Sequence, residues 1–100
     1  MSESKTSPSE APGGDALPQI DFVTFILSLA TSALIQMGEH EDGTAGGPVN
    51  LPLAKQTIDM VGMLREKTRG NLASDETHII ESALYKLRMR YLELKPPGAD

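Results

Sequence analysis

The chain has 100 residues, a formal net charge of −5 and no cysteine. That length allows one domain with a modest core. The missing cysteines exclude disulfides, thiol catalysis, iron–sulfur ligation and cysteine zinc sites, and they agree with a reducing cytoplasm, where we expect the protein to reside. Charge is uneven: residues 1–50 carry one base against seven acids, and residues 51–100 carry eight bases against seven acids. An acidic chain repels phosphate backbones, so nucleic acid is not an expected partner.

Residues 1–19 are rich in Ser, Pro, Gly and Glu, with Leu17 the one large apolar residue after Met1 within the first eighteen. Such a segment buries too little apolar surface to offset its conformational entropy, and a disordered tail is predicted. It lacks the basic start and apolar stretch of a secretory leader, and neither end carries a lipidation motif.

The first predicted helix covers about 22–37. Asp21 can cap it and Gly38 can end it. Phe22, Ile26, Leu29, Ala33 and Met37 fall on one face, Val23, Leu27, Ala30 and Leu34 beside it, and Phe25 on the other flank. The apolar arc spans roughly 200°, against ~100° for an ordinary surface helix. Thr24, Ser28 and Thr31 form a narrow polar stripe opposite. Ser28 and Ser32 are expected to bond back to carbonyls one turn earlier.

Residues 39–50, EHEDGTAGGPVN, read as an acidic loop without regular structure. A second helix is predicted over 51–69, capped by Asn50, with Pro52 in its first turn and Gly70 at its end. A third is predicted over 75–95, capped by Ser74 and stopped by Pro96 and Pro97. Leu53, Val61, Leu64, Leu84 and Leu87 are the expected core. The short link between the last two helices makes them antiparallel neighbours. The fold expected is therefore all-α: an antiparallel three-helix unit over 20–95, with a disordered terminus at 96–100.

Three blocks taken together, DFVTFILSLATSALIQMGE, VNLPLAKQTIDMVGMLREKTRGNL and ALYKLRMRYLEL, resemble a bacterial family known as domain of unknown function 1844. The resemblance covers about residues 20–94 with similar order and spacing, and the variable loop of that family falls on the Gly-rich 42–48. It implies a small helical bacterial protein. It supplies no activity, cofactor or catalytic residue.

Chemistry-bearing patterns are sparse. His40 sits within Glu39-His40-Glu41-Asp42, and four consecutive loop residues cannot converge on one ion. His78 lies near a helix start, where exposure is expected. No serine occupies a strand–turn–helix elbow, and Gly46-Gly47-Pro48 lacks the lysine and spacing of a phosphate loop. No enzyme activity, metal or cofactor is expected. Two phenylalanines and two tyrosines are too few for stacking on bases. Of the basic clusters, Arg65, Lys67 and Arg69 are expected to balance Asp75 and Glu76, and Lys86 and Arg90 to approach Glu39–Asp42. Met37, Met60, Met63 and Met89 read as gap-fillers on apolar faces.

What remains is the over-apolar first helix. Two neighbours cannot cover so wide an arc. Self-association is expected, through Phe22, Phe25, Ile26, Leu29 and Ala33, with an apolar helix of another protein as the alternative occupant. Membrane contact is a further alternative, but residues 22–37 fall short of the ~20 apolar residues a span requires.

Overall fold

The structure is a computed structural model, and residues 20–98 are described. The elements are α1 (Phe22–Gln36), β1 (Met37–Glu39), β2 (Ala45–Val49), α2 (Leu51–Lys67) and α3 (Ser74–Leu94). The expected tail, residues 1–19, lies outside the described residues. The expected C-terminal disorder covers residues 96–98, the last two of which form a turn, and the two residues beyond them, which are not described.

The three helices stand where the periodicity puts them, and local chemistry sets their ends. Asp21 accepts the Thr24 N–H at 2.8 Å and opens α1. Gly38, at φ +102°, takes the left-handed position that follows the last turn. Asn50 accepts the Leu53 N–H at 3.1 Å and opens α2. That helix stops at Lys67, two residues before the expected end: Thr68 still bonds the Leu64 carbonyl with its N–H and its hydroxyl, but the Arg69 N–H turns to the Glu66 carbonyl in a tighter turn. The cap of α3 falls on Ala73 rather than Ser74: the Glu76 carboxylate reaches back and accepts the Ala73 N–H at 2.8 Å.

The fold is not purely helical. The stretch read as a loop forms an antiparallel hairpin, pairing Met37 with Val49 and Glu39 with Ala45 through an irregular register. Its turn closes with His40 N–H donating to the Thr44 carbonyl at 2.7 Å, and Asp42 accepts both the N–H and the hydroxyl of Thr44. Glycine makes the pairing feasible. A Cβ on Gly47 would lie 3.1 Å from the Gly38 carbonyl oxygen, so the strands approach where side chains are missing. The hairpin folds back onto α1, with Asn50 N–H donating to the Gln36 carbonyl at 2.7 Å.

Ile26, Ala33, Met37, Ala54, Ile58, Val61, Ile80, Leu84 and Leu87 form one core shared by all three helices and the hairpin's first strand. Thr57 is the buried polar residue among them, its hydroxyl 2.8 Å from Gln36 Oε1 and 3.2 Å from the Leu53 carbonyl oxygen. Gln36 lies against the start of α2 and Arg65 against the start of α3, so each helix runs antiparallel to its sequence neighbour. It follows that α1 and α3 are parallel. Of the expected core, Val61, Leu84 and Leu87 are fully buried and Leu64 is half-buried, but Leu53 is 41% exposed. The core line of α2 passes through Ala54, Thr57, Ile58 and Val61, which leaves Leu53 about 90° off it.

Candidate functional site

The face expected to meet a second copy is mostly internal. Ile26 and Ala33 are wholly buried, and Phe22 and Leu29 pack against the core. Only Phe25, 42% exposed, still faces outward. The correction has a simple cause: the face read as surplus, centred on Ile26 and Ala33, is the one that α2 and α3 cover. The surplus lies on the flanks.

Two apolar surfaces result. Gln36 and Thr57 mark where α1 meets α2. Phe25 lies on that flank of α1, while Leu53 and Met60 lie on the flank of α2 turned toward α1. All three are about two-fifths exposed. The second surface lies on α3. Its inner side carries Ile80, Leu84 and Leu87 in the core. Its outer side carries Tyr85, Met89 and Leu92, exposed by 70%, 42% and 55%. This outer stripe has a clear sequence signal, the i, i+4, i+7 spacing of residues 85, 89 and 92, which is masked by the stronger inner stripe on the same helix.

Beside that stripe, α1 and α3 enclose a groove of about 300 Å³, floored by Ala30, Leu34, Ala83 and Leu87, with Leu27 at one edge and Lys86 at the other. A second depression of about 340 Å³ shares Leu34 and Lys86 with it and extends to Glu39, Tyr85, Met89 and Arg90. The two adjoin at Leu34 and Lys86 and give a channel that is apolar at the first end and lined by Glu39, Lys86, Arg90 and Glu93 at the second.

Among the described residues the charged side chains pair mainly with near neighbours. Arg65 bonds Glu66 at 3.0 Å and Glu81 at 3.1 Å, and Arg69 bonds Glu66 at 2.8 Å. The expected pairing of this cluster with Asp75 and Glu76 therefore gives way to Glu81, one to two turns further along α3, while Glu76 serves as a cap. The Arg69 and Arg65 guanidiniums hold the Glu66 carboxyl below the usual range, and Glu66 in turn raises Arg65. Glu39 does share a depression with Lys86 and Arg90, as expected, but Arg90 forms its ion pair with Glu93 at 3.1 Å. Asp42 is held below the ordinary aspartate range by the Thr44 hydroxyl and N–H, and Asp21 by the Thr24 N–H. Both shifts belong to turn and cap geometry. Among the described residues no three His, Asp or Glu side chains gather to hold a metal ion. His40 is exposed at the hairpin turn and His78 is exposed on α3.

No helix among the described residues is long and apolar enough to cross a membrane. Neither a curated protein nor a solved structure matches the chain significantly. A family model does: the one described as Domain of unknown function (DUF1844) matches residues 19–93. The match takes in the first two helices, the hairpin between them and α3 up to its last residue but one, and the chain belongs to that family.

Proposed function

We propose that this domain is a non-catalytic module of the bacterial cytoplasm that works through protein–protein contact, chiefly by associating with itself. The observation that carries the reading is the outer stripe of α3, where Tyr85, Met89 and Leu92 stand exposed on a helix whose other face already fills the core. Single exposed apolar residues are ordinary, whereas an aligned set on one helix marks a contact surface. A chain this small also gains most from a partner that enlarges its core.

The test is the solution mass of the full chain by size exclusion with light scattering over a range of concentrations. Self-association gives a mass that climbs from 10.7 kDa toward twice that value. A mass fixed at one chain at all concentrations overturns the reading. The channel between α1 and α3 favours a second reading, in which an amphipathic helix of another protein lies along it. A chain that stays monomeric alone and forms a one-to-one complex with such a helix would select that second reading.

A further inference from the structure

The outer face of α3 has a finer order than a simple apolar stripe. Residues 78, 82, 85, 89 and 92 are spaced 4-3-4-3, and all five are exposed. This is the spacing of a coiled-coil seam, in which positions a and d recur every 3.5 residues. Taking Ser82 and Met89 as a, and His78, Tyr85 and Leu92 as d, the core residues Ile80, Leu84, Leu87 and Tyr91 fall on c and f, diametrically opposite. One helix thus carries two independent seams, one spent on the core and one open.

Charges beside the open seam are ordered as well. The g positions are Glu81, Arg88 and Lys95, and the e positions are Ile79, Lys86 and Glu93. In a parallel, in-register pair each g residue meets the e residue five places on in its partner. That sets Glu81 against Lys86 of the other copy and Arg88 against its Glu93, each opposite in sign and each made twice by symmetry. The antiparallel register that stacks Tyr85 on Met89 of the other copy sets Lys86 against Lys86 and Arg88 against Arg88, and its attractive pair, Glu81 with Lys95, draws on a residue beyond the helical end of α3. Charge therefore selects the parallel arrangement.

We infer that two copies of this chain associate by a parallel, in-register pairing of their α3 helices along Ser82, Tyr85, Met89 and Leu92, locked by Glu81–Lys86 and Arg88–Glu93 contacts between copies. The inference rests on the self-association reading and adds the face, the orientation and the register. With three apolar layers in the seam, the dimer is reversible and its population follows concentration. Glu81 exchanges its contact with Arg65, and Glu93 its contact with Arg90, and both carboxylates keep at least half of their side-chain surface in water, so the exchange is easy.

The native chain has no cysteine, so orientation is readable by single substitutions in the full chain. Ser82→Cys and Leu92→Cys, mildly oxidised, are each expected to give a disulfide-linked dimer, while Ser28→Cys on the outer side of α1 stays monomeric. Glu81→Lys and Lys86→Glu are each expected to weaken the dimer about tenfold, and the double variant to restore it. A concentration-dependent dimer in which neither seam cysteine links faster than the Ser28→Cys control would overturn the inference and leave self-association standing. Linkage only in a mixture of Ser82→Cys with Leu92→Cys would overturn the orientation in favour of an antiparallel pair. A chain that is monomeric throughout would remove both the inference and the reading beneath it. Rescue by the double charge swap is the result that a merely structural role for Glu81 or Lys86 does not produce.

Discussion

At the scale of single residues, Phe25 and Leu29 separate surface from core within one turn of α1. Both belong to the face expected to self-associate, yet Leu29 packs on the core while Phe25 is 42% exposed. Leu29→Asp is therefore expected to destabilise the fold by about 2–4 kcal/mol, since a carboxylate would enter a half-dry site. Phe25→Asp should stay within about 1 kcal/mol of the parent. Urea unfolding of both variants checks this, and equal effects would show that the burial difference is not real. Asp21 offers a pH test. Its carboxyl is lowered by the Thr24 N–H, so its folded pKa lies below its unfolded one. Its stabilising contribution is then present above the unfolded aspartate value and is lost as pH falls through the lower folded one. Asp21→Asn keeps a capping oxygen and removes the titration. Its helicity, followed by circular dichroism during acid titration, should fall less in that window than the parent's. Asp42 and Glu66 respond with the same sign, so the substitution flattens the curve without abolishing it.

At the scale of elements, the helices were legible and the hairpin was not. A helix announces itself by period and caps, and α1, α2 and α3 begin and end within two residues of the expected bounds. The strand Ala45-Gly46-Gly47-Pro48-Val49 has no alternation to read, and its burial does not alternate either. Backbone proximity creates it, through glycines that let two chains close together. Gly47→Ala is expected to cost about 1–3 kcal/mol, because the new methyl would press on the Gly38 carbonyl oxygen, a backbone atom that cannot step aside. Loss of hydrogen-exchange protection confined to residues 37–49 would be the signature. Gly62 in α2 is the opposite case. A Cβ there would meet Arg88 Nη2 at 3.0 Å, the free end of a flexible side chain, and Leu84 only at ordinary contact distance. Gly62→Ala should raise stability by up to about 1 kcal/mol through helix propensity. A drop in the urea midpoint would show that Arg88 is held more firmly than its exposure suggests.

At the scale of the whole molecule, three helices and a hairpin enclose one core and leave two apolar flanks and a channel open. Because association would bind the folded chain and not the unfolded one, the melting temperature is expected to rise with protein concentration. Calorimetry over a hundredfold range checks this, and a constant value would argue for a folded unit that needs no second copy. The sequence by itself determined the three helices and their order, though not the hairpin between the first two, because 3.6-residue periodicity, Asp21, Asn50 and the closing glycines act within a few residues of one another. It also pointed to a wider apolar arc on α1 than two neighbours cover, and Phe25 and Leu27 stay exposed on that helix. Where the surplus ends up was decided only by tertiary structure. Packing consumed Ile26 and Ala33, moved Leu53 to the edge, and gave the inner face of α3 to the core, which left Tyr85, Met89 and Leu92 outside. A wheel drawn for one helix cannot state which part of its arc a neighbour will cover, because that depends on the direction and distance of elements far along the chain.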